Sequence, residues 1–206
     1  MTYLKQKTAV AIADGEAYPK FISIRDELAV WYVIQTLGHE EEKTIIMIEK
    51  ILNESIYKRC IYPTRRMKKK IRGEWRDVTE KLVPGYVFIF TEKPLRVYSE
   101  LKKIPLLTKL LGREGVDFIK LDNKEIKWLE ILMANTKGNG SAEVGLSQVG
   151  FTEGDEVQII SGPLTDLVGY VKKINLHKRQ AELEVEFMGR KMDIYLGIEF
   201  TEKILI

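Results

Sequence analysis

The 206-residue chain has little of several residue types on which protein chemistry often depends. Its single cysteine, Cys60, excludes an intramolecular disulfide and a cysteine-based zinc site. Its two histidines, His39 and His177, lie in charged, turn-like stretches that are typical of solvent-exposed side chains. No run of about 18 apolar residues is present, which excludes a transmembrane helix, and the first residues lack the compact apolar segment of a secretory signal. We therefore expect a cytoplasmic protein with no membrane partner.

Sequence motifs for nucleotide binding and nucleophilic catalysis are also missing. The chain has no GxGxxG, GxxxxGK[ST] or GxSxG pattern. No carboxylate stands in an apolar context that would raise its pKa for acid–base work. Cys60 lies in a predicted strand, where a free cysteine behaves as a small buried hydrophobe. We expect a monomer that is not an enzyme and that uses no cofactor or metal.

Charge is distributed unevenly along the chain. Residues 1–150 carry 26 Lys and Arg against 20 Asp and Glu, whereas residues 151–206 carry 7 against 10. This asymmetry favours two units with different surfaces. Four glycines and two serines between residues 134 and 150 predict a flexible linker. The expected organisation is an extension over 1–28, a domain over 29–134, a linker over 135–150 and a second domain over 151–206.

The pattern of the first domain predicts an α+β fold. The predicted elements are, in order, strand 29–36, helix 38–55, strand 57–63, strand 86–91, helix 94–104, strand 117–121 and helix 122–135. Asp122 and Glu125 have the spacing of a capping box for the last helix. This order favours a ferredoxin-like sheet covered by helices.

The second domain is predicted to be all-β. In the segment AELEVEF, the acidic residues 182, 184 and 186 alternate with Leu183, Val185 and Phe187, which gives one solvated face and one core face. Five short strands in about 56 residues favour a small closed barrel. Gly162 and Gly169 bracket a tight loop, where glycine tolerates a positive φ.

Two basic clusters are candidates for nucleic-acid binding, because closely spaced cations neutralise phosphates. Met67, Ile71 and Trp75 interrupt the first at a spacing of four, which is compatible with a hairpin or a helical arm. The second occupies two turns of the small barrel, which could face the same side and form one patch. The alternative for both is a solvated charged surface. The candidates are Arg65, Arg66, Lys68, Lys69, Lys70 and Arg72 in the first cluster, and Lys172, Lys173, His177, Lys178, Arg179, Arg190 and Lys191 in the second.

The segment YVFIF, residues 86–90, is apolar on both faces of its predicted strand. Tyr86, Phe88 and Phe90 share one face, and Val87 and Ile89 share the other. One face is expected under helices. The aromatic face is either a protein-docking surface or part of a fully buried central strand.

Taken in order, these features resemble the NusG family of transcription elongation factors. The resemblance depends on WYV at 31–33, P-G-Y-V-F-I-F at 84–90 after a basic hairpin, and GDEVQIISGPLTDLVGYVKKI at 154–174, which resembles a KOW motif. It implies an NGN domain followed by an SH3-like KOW barrel. It further implies that Trp31, Tyr32, Tyr86 and Phe88 bind the clamp helices of the β′ subunit of bacterial RNA polymerase. The basic hairpin would then point toward upstream or non-template DNA.

The C-terminal stretch HKRQAELEVEFMGRKMDIYLGIE is most similar to LoaP, a specialised group within this family. That resemblance implies processive antitermination and recognition of an RNA hairpin in the nascent transcript by the second basic cluster. Leu164 and Leu167 replace the phenylalanine loop of general NusG proteins, which binds the Rho terminator or a ribosomal protein. Two alternatives remain open: a housekeeping NusG that couples polymerase to Rho or the ribosome, and an RNA-binding KOW protein that does not bind polymerase.

Overall fold

The structure, a computed structural model, forms two main β-sheets and a small two-stranded ribbon. It describes residues 29–106, 108–113, 117–134, 139–152 and 156–201. The expected N-terminal extension, 1–28, lies outside the described residues. We name the residues around the first sheet, 29–144, the N-terminal domain and those around the second, 147–201, the C-terminal domain.

The N-terminal domain has the predicted ferredoxin-like order. Its first sheet runs β3-β2-β4-β1-β5, with β8 added in parallel beside β2. Without the arm β3, the order β2-β4-β1-β5, with α1 and α2 as the crossover helices, is the ferredoxin-like arrangement. The elements are β1 (Val30–Thr36), α1 (Glu41–Ile51), β2 (Arg59–Ile71), β3 (Glu74–Lys81), β4 (Tyr86–Thr91), α2 (Pro94–Leu101), β5 (Thr108–Leu110), β6 (Gly112–Arg113), β7 (Asp117–Phe118), α3 (Asn123–Met133) and β8 (Gly140–Val144).

Local signals at the end of this domain are confirmed in part. The predicted capping box of α3 is present: the Asp122 carboxylate accepts from the backbone N–H of Glu125 at 2.9 Å, and the Glu125 carboxylate accepts from that of Asp122 at 2.8 Å. The strand predicted over 117–121 is confirmed only for Asp117 and Phe118, which pair with β6. Beyond Phe118 the chain makes one isolated bridge, between Tyr32 and Lys120.

The C-terminal domain has five strands, the predicted number, in the order β10-β9-β13-β12-β11. Four of them lie in predicted strand segments, whereas β9 lies almost entirely in the stretch predicted as a linker. Burial alternates along β12 as expected, and Ala181, Leu183 and Val185 are almost fully buried. Its strands are β9 (Ser147–Phe151), β10 (Val157–Ser161), β11 (Val171–Asn175), β12 (Gln180–Phe187) and β13 (Arg190–Phe200).

The two glycines of the loop before β11 behave differently. Gly162 has a φ of +92°, and a Cβ there would lie 2.8 Å from the Leu146 carbonyl oxygen, so glycine is required. Gly169 lies in the 3-10 segment Val168–Tyr170 with open space around it and no left-handed φ. The prediction is therefore confirmed for Gly162 and wrong for Gly169.

The expected flexible linker is folded where the structure describes it. Residues 135–138 lie outside the described residues, and the remainder forms β8 and the start of β9. β8 pairs with β2, and β9 pairs with both β10 and β13. Because an open strand edge presents unpaired N–H and C=O groups, a segment that contains glycine can still pair with it. Only Gly145 and Leu146 separate the two strands, so the connection between the domains is short.

Candidate functional site

The aromatic face of the first sheet lies where the two domains meet. Trp31 and Phe88 are 5% and 0% exposed, and Tyr86 is half-buried beside them. Phe187, at the end of β12 in the C-terminal domain, covers this face. Its ring centroid lies 5.3 Å from that of Tyr86 and 5.8 Å from that of Phe88. It also lies 6.4 Å from Trp128 of α3. The face is therefore buried in this structure by a side chain from the second domain.

Tyr32 does not belong to this face. Alternation along β1 places it on the opposite side of the sheet, where it is 4% exposed in the cluster under α1 and α2. Burial, followed by the nearby Asp117 carboxylate, raises the pKa of its phenol. The structure thus brings Trp31, Tyr86 and Phe88 together and leaves out Tyr32.

Polar contacts surround Phe187 and hold the domains together. The Trp128 indole N–H donates to the Glu186 carbonyl oxygen at 2.9 Å. The backbone N–H of Gly189 donates to the Glu125 carboxylate at 3.3 Å, and Lys124 lies 3.4 Å from the Glu186 carboxylate. Sequence reasoning missed the role of Phe187, because its place in the alternation of β12 assigned it to the core of its own domain.

A second contact between the domains is made where β13 crosses β2. A Cβ at Gly197 would clash with the carbonyl oxygen of Arg66 and approach the Cα of Met67 at 3.1 Å. The Arg65 guanidinium donates to the Tyr195 carbonyl oxygen at 2.8 Å. Gly197 therefore allows the two backbones to approach closely, and a side chain there would force them apart.

The first basic cluster is on a hairpin arm, as one of the two predicted geometries requires, and β2 pairs with β3 from Thr64 to Ile71. Carboxylates neutralise four of its six candidates. Arg65 and Lys69 contact Glu80, Arg66 contacts Glu143, and Lys68 contacts Asp77 and Glu199. Lys70 and Arg72, near the tip, have no ion-pair partner among the described residues.

These pairs shift the pKa values of the groups involved. Hydrogen bonds from Lys69, and further contributions from its charge and from Arg65, lower the pKa of Glu80 despite partial burial. Hydrogen bonds to Asp77 and Glu199 raise the pKa of Lys68. Lys68 therefore links the hairpin arm to the C-terminal domain through a carboxylate of each.

The candidates of the second cluster do not form one patch. The turns after β11 and β12 lie at opposite ends of β12, which spans about 23 Å at roughly 3.3 Å per residue. Lys172 and Lys191 pair with Glu184, and Lys172 also lies 2.9 Å from Asp193. The hydrogen bond to Asp193 raises the pKa of Lys172, and the one to Glu184 raises that of Lys191. Consecutive hairpin turns face opposite ways, so the single-patch prediction is wrong for His177, Lys178 and Arg179, whereas Lys172 and Lys191 do meet at Glu184.

The remaining cations of this cluster are distributed over three places. Arg190 lies beside Phe187 at the turn after β12, and Lys173 is exposed on β11. The turn after β11 instead faces the hairpin arm: His177 and Lys178 line one cleft with Lys69 and Lys70. The structure thus joins part of each basic cluster across the domain contact.

The cysteine and the two histidines, which could carry catalysis or bind a metal, lie where the sequence predicted them. Cys60 is fully buried, and burial raises the pKa of its thiol, in agreement with its interpretation as a core residue. His39 and His177 are exposed, as predicted. Within the described ranges, no group of three or more His, Cys, Asp or Glu residues could hold a metal ion, and no helix is long and apolar enough to cross a membrane.

Comparison with known proteins connects this architecture to transcription. Residues 29–130 match the family model described as "Transcription termination factor nusG". The Thermus thermophilus "Transcription termination/antitermination protein NusG" is 28% identical over 184 residues, covering 84% of this chain and 97% of that protein. The protein of the same name from Pseudomonas aeruginosa is 23% identical, covering 84% of this chain and 98% of that protein.

A solved structure, "Domain interaction in Thermotoga maritima NusG", is also similar. It is 23% identical, covers 84% of this chain and 95% of that chain, and has a TM-score of 0.47. The segment matched by the family model begins just before β1 and ends within α3, so it carries the aromatic face and the hairpin arm. Over residues 29–130 the chain is similar to the NusG family.

Proposed function

We propose that the chain is a NusG-type transcription elongation factor that acts as a processive antiterminator. Its N-terminal domain would bind the β′ clamp helices of bacterial RNA polymerase through Trp31, Tyr86 and Phe88. The observation that carries this proposal is the aromatic face on β1 and β4, whose cover includes Phe187 of a separate domain. An apolar face that a neighbouring domain covers can become a docking surface once that domain moves away.

Polymerase and the C-terminal domain would compete for this face. Phe187 occupies the position that a partner side chain would need, so binding requires the domains to separate. Leu183, Val185 and Ile194 are buried on β12 and β13 of the five-stranded sheet, so we expect the C-terminal domain to remain folded when it separates. Restraint of the polymerase clamp would then suppress pausing without covalent chemistry.

The separated C-terminal domain would bind an RNA hairpin in the nascent transcript. The candidate side chains without a carboxylate partner among the described residues are Lys173, His177, Lys178 and Arg190, and Arg179 packs on aromatic rings. Lys172 and Lys191 would have to exchange their carboxylate partners for phosphates. The similarity of residues 177–199 to LoaP supports this role. On the hairpin arm, Lys70 and Arg72 are the best placed for upstream or non-template DNA.

Single-round transcription through an intrinsic terminator tests the proposal. Purified bacterial RNA polymerase would be used with templates that encode or lack the RNA hairpin of the leader from the protein's own operon. We expect readthrough that depends on the hairpin.

Phe187→Ala should increase polymerase affinity severalfold, because the loss of a central aromatic anchor weakens the packing of the two domains. If neither the wild-type chain nor Phe187→Ala bound polymerase, the proposal would be contradicted, and an RNA-binding KOW protein would remain as the alternative.

A housekeeping coupling role is the second candidate. It is favoured by the relatives, which carry the name "Transcription termination/antitermination protein NusG". Leu164 and Leu167, at the position of the family's phenylalanine loop, are fully buried, and Val168 is the exposed apolar side chain beside them. Effects on transcription that do not depend on the RNA hairpin would favour this second candidate.

A further inference from the structure

One cleft is formed jointly by the two domains, on the side of the molecule where the hairpin arm meets the turn after β11. Its volume is about 480 Å³, within the range of ligand-binding clefts. The lining residues are Met67, Lys68, Lys69, Lys70 and Trp75 from the arm, and His177, Lys178 and Gln180 from the C-terminal domain. Neither domain alone provides both walls.

Positive charge in the cleft is only partly neutralised. Lys68 and Lys69 contact carboxylates, whereas Lys70 and Lys178 are exposed and have no ion-pair partner in the described part of the chain. One of these two free ammonium groups lies on each wall. Such a pair can contact successive phosphates of one strand.

An exposed aromatic ring lines the same cleft. Trp75 is 36% exposed, in contrast to the buried Trp31 and Trp128. The Arg179 guanidinium lies 4.3 Å from the centre of its ring, which fixes the indole against the C-terminal domain. Met67, 3% exposed, contributes apolar surface to the same lining. The cleft therefore presents a partly open aromatic surface beside free positive charge.

We propose that this interdomain cleft binds a single-stranded segment of nucleic acid. A base would stack on Trp75, and the flanking phosphates would contact Lys70 and Lys178. Aromatic stacking with a basic groove is how proteins hold single strands without reading a particular sequence. The inference rests on the proposed function for its nucleic-acid partner, and it adds a site that exists when the domains are packed together.

Single-stranded nucleic acid fits this cleft better than a duplex does. A duplex keeps its bases paired and stacked, so it can offer phosphates to the lysines but no free base to Trp75. RNA and DNA single strands share the required chemistry. Because a strand in the cleft would touch both domains, its binding stabilises their packed arrangement and opposes exposure of the aromatic face.

Binding of labelled oligonucleotides by the full-length chain tests the proposal. The probes are uridine and thymidine oligomers of about 12 nucleotides, within the usual site size, and a duplex of equal length. We expect the single strands to bind more tightly than the duplex and to quench fluorescence from Trp75. The oligomer that binds with the higher affinity shows whether the cleft prefers RNA or DNA. Absence of quenching by the single strands, or equal or stronger quenching by the duplex, would overturn the proposal, because a duplex bound elsewhere on the chain leaves Trp75 unaffected.

Charge substitutions locate the site. Lys70→Gln with Lys178→Gln should weaken single-strand binding on the order of tenfold and reduce the salt slope by about 1.4, at about 0.7 per phosphate contact. The matched control is Lys50→Gln with Lys127→Gln, which removes two exposed lysines that have no ion-pair partner among the described residues. Trp75→Ala should weaken binding at least about fivefold and remove the quenching. Equal losses in the two lysine variants would overturn the proposal.

Gly197→Val tests whether both walls are needed, because it separates the walls without removing any charge. Weakened single-strand binding supports a joint cleft, and unchanged binding contradicts it. Polymerase is absent from these assays, so their failure would leave the proposed function in place. Conversely, a chain that bound single strands but not polymerase would lose the proposed function and keep the cleft.

Discussion

The two faces of the first sheet carry similar apolar side chains but have different covers. Ile34, Val87 and Ile89 are fully buried in the cluster under α1 and α2, the crossover helices of the same domain. Trp31 and Phe88, on the other face, belong to a cluster that continues through α3 into the C-terminal domain. The first cover is an integral part of one folding unit, and the second is shared between two.

This difference shows how one sheet can provide both a stable core and a removable interface. The helix-covered face can be exposed only if the N-terminal domain unfolds. The shared face would be exposed by movement of the C-terminal domain, without unfolding of the helix-covered side of the sheet. Contacts such as the Trp128–Glu186 hydrogen bond and the Lys68–Glu199 ion pair restrain this movement. We expect substitutions on the helix-covered face to lower the stability of the fold, and substitutions at the shared face to weaken the packing of the two domains.

Ile89→Ala should have the largest effect on stability. Truncation of a fully buried isoleucine costs about 2–5 kcal/mol of unfolding free energy. Because this face is not the docking surface, the variant should gain no polymerase affinity. Urea denaturation and a polymerase-binding titration measure the two effects, with Phe187→Ala as the comparison. An increase in polymerase affinity for Ile89→Ala would show that the two faces are coupled.

Gly197→Val should have an intermediate effect, confined to the packing of the domains. The added side chain meets the backbone of β2, and overpacking of this kind costs about 1–3 kcal/mol. We expect faster amide exchange along the contact between the domains and a larger radius of gyration in solution. Gly169→Ala is the control, since open space surrounds that position. Unchanged scattering and exchange would mean that β13 and β2 can adjust without separation.

The sequence predicted the elements better than it predicted their contacts. Alternation in β12 and the Asp122 capping box depend on neighbours along the chain, and the structure confirms them. The ferredoxin-like order is also confirmed, but its fourth strand is β5 and not the strand predicted over 117–121. Phe187 satisfies the same alternation, yet its ring contacts lie in the other domain, which no local pattern reveals. In β8, glycines concealed a strand that the burial of Ala142 and Val144 makes clear. The aromatic face was found by alternation, but its cover depends on long-range packing.

Glu143→Gln should have the smallest effect, on the attachment of β8 to the hairpin arm. The Glu143 carboxylate accepts from Thr79 at 2.9 Å and from Arg66 at 2.5 Å, and these hydrogen bonds lower its pKa. Its contribution is therefore present above the unfolded-state pKa, about 4.3, and is lost as the pH falls through the lower folded-state pKa. An exposed pair of this kind contributes about 0.2–1 kcal/mol.

Denaturation of the wild-type chain and Glu143→Gln at several pH values measures this contribution. The difference in unfolding free energy should be present near neutral pH and should shrink in acid, because protonation removes the same charge that the substitution removes. Glu130→Gln, at an exposed acid without an ion-pair partner in the described ranges, is the control and should show a smaller difference at neutral pH. If the Glu143→Gln difference persisted in acid, hydrogen bonding by the neutral side chain would hold β8, and the charge of Glu143 would not.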